Sequence, residues 1–263
     1  MSMLLGLLAA GATVQATAPV PAVPAAKPPF KLGRDTNLVI HANSYYAQWT
    51  YPGIQEVGEL GALIRESGVT ASNFAIPGTT WAVMTLSNQN VISAFDPTKT
   101  NILVCGETRN QTFEFGSVIT DQQVLVQRTR AYITRIQAET KAKYGKGWDY
   151  VMLCGTIATQ DVHNYPSEQV LAGNKAMAAY DEFMRDRSNL ASVGADYFVD
   201  YRTLDAATFD GDGVNRLAGF MASPRVTVME RTAGTFVHPI GAAREAFAAC
   251  IARTLRRAAD AAS

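Results

Sequence analysis

"NLVIHANSYY", residues 37–46, begins as an apolar run and ends in polar and aromatic residues. NLVIHA (37–42) suits a short strand buried on both faces, since a half-wet strand would alternate apolar and polar residues more strictly. Asn43 and Ser44 then fall at the strand's carboxyl end. A hydroxyl at that place fits two roles, the cap of a following helix or an exposed nucleophile. The rest of the chain has to separate them.

Working outward, runs of the same kind recur as SNFAI (72–76), NILVC (101–105), DYVMLC (149–154) and DYFVD (196–200). Helical spacing fills the gaps between them. IQEVGELGALIRES (54–67) places Val57, Leu60, Leu63 and Ile64 on one face and stops at Gly68. TWAVMTL follows Pro77-Gly78, and an amphipathic stretch over 118–143 sets Leu125, Tyr132, Ile133 and Ile136 opposite Arg and Lys. SEQVLAGNKAMAAYDEFMRDR (167–187) opens on Ser167 as a cap, and GAAREAFAACIARTLRRAAD (241–260) closes the chain as a helix. Strands alternating with helices predict an α/β fold, a parallel sheet covered by helices on both faces. Such sheets bind ligands beyond the carboxyl ends of their strands. The segments to inspect are therefore 42–46, 77–80, 106–110, 155–163 and 200–215.

The chain has 263 residues, 48% of them hydrophobic and 17% charged, which is globular rather than disordered. Lys and Arg number 23 against 23 Asp and Glu, so no excess of positive charge points to a nucleic acid partner. Cys105, Cys154 and Cys250 are odd in number and widely spaced; they read as buried free thiols rather than a disulfide framework or a zinc site. No metal site and no cofactor are expected.

The first residues are unusual. MSMLLGLLAAGATVQA is apolar and small, and the first charge after it is Lys27. Its apolar core is shorter than the about 20 residues a transmembrane helix needs. Two readings stay open: a secretory signal with VQA as a cleavage site, although no positive n-region precedes it, or a retained anchor that packs into an assembly. TAPVPAVPAAKPP follows as a semi-extended linker. The expected division is residues 1–34 as apolar segment and Pro/Ala-rich linker, and residues 35–263 as the folded domain.

Four of the strand ends carry a further pattern: Ala42-Asn43-Ser44, Pro77-Gly78-Thr79, Gly106-Glu107-Thr108-Arg109-Asn110, and Thr235-Phe236-Val237-His238-Pro239 ahead of the last helix. In this order the chain resembles the SGNH/GDSL hydrolase family over residues 37–257. That family has Gly-Asp-Ser after the first strand, a Gly after the second, Gly-x-Asn-Asp after the third, and Asp-x-x-His before the last helix. The resemblance implies a three-layer α/β/α domain, flavodoxin-like, with a parallel sheet of about five strands. It also implies ester hydrolysis, with Ser44 as nucleophile and His238 as its base. Gly78 and an Asn of the third block would bind the oxyanion.

The sequence departs from the pattern in three of the four blocks. Asn43 stands for the Asp before the nucleophile. Laid without a gap as Gly-x-Thr-Asn-Asp from Gly106, the third block puts Arg109 on the position of the oxyanion Asn, with Asn110 one residue on as the substitute; a cation there could itself hold an anionic or carbonyl oxygen. Thr235 stands for the acid, and it accepts a hydrogen bond without carrying charge. A carboxylate from Asp205, Asp210 or Asp212 could replace it. Other polar residues have plainer readings: His41 as a buried, hydrogen-bonded strand residue, His163 as a surface-loop residue or substrate contact, and Asp210-Gly211-Asp212-Gly213 as a turn rather than a calcium loop. The resemblance further implies an O-acetyl esterase acting on surface carbohydrate, or a structural or receptor-binding protein derived from one. Domains of this type occur on tail and fibre proteins of bacterial viruses, so the expected setting is a virion, with residues 1–30 meeting other virion proteins. A secreted or periplasmic esterase is the alternative.

Overall fold

In the chain's computed structural model residues 27–28, 30–47, 53–113, 117–156, 166–201, 229–232, 235–239 and 241–260 are described. The elements run β1 (Thr36–Ala42), α1 (Ser44–Ala47), a 3-10 turn (Ile54–Glu56), α2 (Gly58–Ser67), β2 (Thr70–Asn73), α3 (Trp81–Leu86), α4 (Gln89–Ser93), β3 (Thr100–Gly106), α5 (Thr108–Thr112), α6 (Gln122–Tyr144), β4 (Tyr150–Cys154), α7 (Ser167–Arg185), α8 (Arg187–Ser192), β5 (Tyr197–Val199), β6 (Met229–Thr232), β7 (Thr235–Pro239) and α9 (Gly241–Asp260).

The five strands β2-β1-β3-β4-β5 form one sheet in that order, with every pairing parallel. Leu38 stands between Ala71 and Ile102, and Met152 opposite Tyr197, so the register is continuous across the sheet. The strand order reverses between β1 and β3. At such a switch point the connecting loops diverge above and below the sheet and leave a crevice at its carboxyl edge. Residues β6 and β7 make a separate antiparallel pair, with Thr232 opposite Thr235.

Side chains alternate between two cores, as the period of a strand requires. Leu38, Ile40, Ile102, Val104 and Met152 face α2 and α9, where Leu60, Ile64, Phe247, Ile251 and Leu255 meet them. Val39, Leu103, Cys105, Val151 and Leu153 face α3, α6 and α7, against Trp81, Met84, Leu125, Ile133 and Met177. Burying each such aliphatic side chain stabilises the fold by about 1.5–3 kcal/mol. This is why β1, β3 and β4 carry long apolar runs, while the edge strand β2 is partly exposed and reads weakly.

Several boundaries differ from those expected. The second strand is 70–73 rather than 72–76, although Phe74 and Ile76 still donate to the carbonyls of Ile40 and Ala42. Ser167 lies inside α7 and Pro166 is the capping position, a fit of Pro's fixed φ to a helix start. The expected helix 167–187 ends at Arg185, because the Asp186 carboxylate accepts the N–H groups of Ser188 and Asn189 and starts α8. The packed chain also begins before residue 35. Phe30 is 5% exposed and lies with its ring 4.7 Å from that of Tyr150. Lys27 donates to the Asp149 carbonyl at 2.7 Å and to Asp196 Oδ2 at 2.8 Å. Asp149 and Asp196 precede β4 and β5, so the end of the linker crosses the amino edge of the sheet. Lys27 and Phe30 thus pack onto the domain ahead of its expected start at residue 35. Residues 1–26 lie outside the described chain.

Candidate active site

The carboxyl edge is built by extending the ladders one residue past each strand. Asn43, 2% exposed, donates its N–H to the Gly106 carbonyl at 3.2 Å, and Gly155 donates to the Val199 carbonyl at 2.9 Å. Ser44 is the first residue of α1, a single turn set directly on β1. That turn is held from two sides. Asn73 Nδ2 donates to the Tyr46 carbonyl at 2.8 Å, and the Tyr46 and Tyr201 hydroxyls share a hydrogen bond of 2.6 Å inside the core.

Gly106, the glycine of the third block, is required by packing. A Cβ there would lie 2.7 Å from Cys154 Cβ and 3.4 Å from Tyr46 Oη. Gly78 is required by conformation instead: its φ is 68°, in the left-handed region, and a Cβ would meet nothing within 4 Å. After it Thr79 is buried, and Thr80 caps α3 by accepting the Val83 N–H.

The third block turns straight into α5. Asn110 Nδ2 donates to the Thr79 carbonyl at 2.9 Å, which ties α5 to the Gly78 loop. Glu107, 1% exposed, accepts the N–H groups of Asn110 at 3.0 Å and Gln111 at 3.1 Å. Arg109 lies in α5, and its side chain is outside the described set.

The last block lies in β7, which begins at Thr235 and includes His238. β7 lies against α1, so the backbone segments of Ser44 and His238 are neighbours. The side chains of Ser44, Thr235 and His238 are outside the described set, as are Gly234, residues 202–228 with Asp205, Asp210 and Asp212, and residues 157–165 with His163.

Other nucleophiles and bases are disposed of by burial. All three cysteines are buried thiols outside any disulfide. Burial pushes the Cys154 thiol up to about 11, partly offset by hydrogen bonds from Tyr201 and Tyr46, and raises Cys105 well above its ordinary value. Neither offers a thiolate near neutral pH. His41 is fully buried on the α6 side, with Nδ1 2.6 Å from the Tyr132 hydroxyl, and burial lowers its pKa to about 4. This is the plain reading of His41 from the sequence. Among the described residues no group of three His, Cys, Asp or Glu is placed to hold a metal ion.

Two residues of this edge escaped the sequence. Glu107 reads there only as the unspecified position of the third block. Asp181, 1% exposed, accepts the Thr156 N–H and hydroxyl, the latter at 3.0 Å, and so fixes the turn after β4. Its one signal is a carboxylate on the apolar stripe of α7, between Met177 and Met184. Beside α5 an open pocket of about 480 Å³ is lined by Ser117, Val118, Thr120, Glu168, Gln169 and Ala172.

No family model matches the sequence, and no curated protein matches it either. Solved structures do. A member of the lipolytic protein G-D-S-L family from Veillonella parvula aligns over 84% of this chain and 99% of its own, with TM-score 0.50 and 15% identity. The structure of TesA aligns over 84% and 99%, with TM-score 0.50 and 15% identity. The acetyl xylan esterase AlAXEase aligns over 82% and 97%, with TM-score 0.51 and 12% identity. With the 2-1-3-4-5 parallel sheet and the segments gathered at its carboxyl edge, these likenesses give the chain the fold of the SGNH/GDSL hydrolases.

Proposed function

We propose that the chain is a carboxyl-ester hydrolase of the carbohydrate O-acetyl esterase type, working slowly. The observation that carries this reading is the convergence of three segments at one edge: α1 with Ser44, the Gly78–Thr79 loop tied to Asn110, and β7 with His238 against α1. Ser44 Oγ attacks the ester carbonyl carbon while His238 takes its proton. The carbonyl oxygen becomes an oxyanion, received by the Gly78 N–H and the Asn110 amide, with Arg109 as a further cation. Collapse expels the sugar alkoxide, which takes the proton back from His238. Water then repeats the sequence on the acetyl-enzyme, releasing acetate and Ser44.

Thr235 sets the rate. It can orient the imidazole but cannot stabilise an imidazolium by charge, and in the serine-protease case neutralising the acid lowers turnover about 10⁴-fold. That same change, with Asn43 in place of Asp, favours a second reading: a glycan-binding or structural protein on the hydrolase fold. Carbohydrate as the ligand is supported by an acetyl xylan esterase among the structural neighbours. For setting, attachment to a phage particle through residues 1–30 is the proposal, with a secreted or periplasmic protein as the alternative; none of the described helices is long and apolar enough to cross a membrane. Hydrolysis of p-nitrophenyl acetate by wild type and Ser44→Ala separates enzyme from non-enzyme. The enzyme reading expects a Ser44-dependent rate above background, and equal rates for the two proteins would remove it.

A further inference from the structure

A five-residue helix has no stability of its own, because nucleation costs more than so few hydrogen bonds return. The direction of α5 must therefore come from what holds its ends. Its start is held by one buried carboxylate, Glu107, whose Oε1 accepts the Asn110 N–H and whose Oε2 accepts the Gln111 N–H. Burying a carboxylate is costly unless it is well bonded. This one sits at the switch point of the sheet, one residue beyond β3. The side chain leaving the same turn is Asn110, which reaches the Thr79 carbonyl beside Gly78. An amide nitrogen carries two hydrogens, so a bond from one of them fixes the plane and the direction of the other.

We propose that Glu107 is a positioning residue for oxyanion stabilisation: its bidentate hold on the first turn of α5 sets the orientation of the Asn110 amide relative to the Gly78 N–H. The inference rests on the ester-hydrolase reading. Glu107 does not touch substrate in this account and transfers no proton. It keeps a donor at the place where negative charge develops, which matters because small displacements of such a donor cost rate rather than binding.

The test is a double-mutant cycle on p-nitrophenyl acetate with wild type, Glu107→Gln, Asn110→Ala and the double variant. Gln keeps the shape of Glu but presents an NH₂ to one of the two backbone N–H groups. Glu107→Gln is expected to lower kcat about 10-fold and Asn110→Ala about 10²-fold, both with KM unchanged. In the double variant kcat should equal that of Asn110→Ala alone, since the effect runs through Asn110. A purely structural role would lower kcat by the same factor in both backgrounds, and that result overturns the proposal, as does an unchanged kcat in Glu107→Gln. Far-UV circular dichroism and the denaturant midpoint show that each variant is folded. If Glu107→Gln does not fold, Glu107→Asp replaces it, with the same expected loss because the shorter side chain cannot span both N–H groups. A wild type without Ser44-dependent turnover removes the hydrolase reading and this inference with it, whereas an active wild type with additive losses removes this inference alone.

Discussion

His41, on β1, stands three residues before Ser44, yet its chemistry is opposite to that of a catalytic base. Burial holds its pKa near 4 against 6.5 in an exposed setting. The folded chain therefore keeps it neutral while the unfolded chain takes up a proton as pH falls below 6.5. Stability from this group is complete above 6.5 and is lost progressively down to about 4, amounting to about 3 kcal/mol. His41→Gln keeps a partner for the Tyr132 hydroxyl without titrating. Urea unfolding at pH 7 and pH 4.5 should show a steeper loss for wild type than for this variant; parallel losses would mean His41 is not held neutral. At this scale the sequence is readable where a residue's role follows from its strand position, as for His41. It is silent where the role depends on a partner distant in the chain. Asp181 meets Thr156 across 25 positions and Asn110 meets Thr79 across 31, and neither pairing leaves a local spacing to find.

Strands announce themselves in proportion to their burial. β1, β3 and β4 are packed on both faces and appear as apolar runs, whereas β2 is an edge strand that starts two residues and ends three residues before the run SNFAI suggests. The β6–β7 pair carries a usable signal that the five strand-like runs leave out, TVMERT and TFVHP separated by Ala233-Gly234, which is hairpin spacing. Pairs of elements also impose demands that no single one shows. β3 and β4 approach so closely at their carboxyl ends that Gly106 cannot carry a side chain without meeting Cys154 Cβ at 2.7 Å. Gly106→Ala should destabilise the fold by about 1–3 kcal/mol, the range for overpacking a filled core, and lower the midpoint in urea accordingly. An unchanged midpoint would mean that the two strands separate at no cost.

For the whole molecule the two edges of the sheet have different tasks. The linker's end is fastened at the amino edge by Lys27 and Phe30, and the candidate site lies at the carboxyl edge, roughly 20 Å away along the seven residues of β1. A support holding residues 1–26 would thus leave the site facing outward, which suits the proposed attachment. Removing residues 1–34 takes Phe30 from the core and should cost about 3 kcal/mol or more relative to removing residues 1–26. Equal denaturant midpoints for the two truncations would contradict the packing of Phe30 into the core. The central claim, that this edge is a serine hydrolase site, is tested most directly by the intact mass of the protein after exposure to a fluorophosphonate. Such a reagent captures an activated serine even where turnover is slow. One phosphonyl group should be added to wild type, mapped by peptide sequencing to Ser44, and lost in Ser44→Ala and in His238→Ala. Absence of the adduct from wild type, or its persistence in Ser44→Ala, would contradict the account.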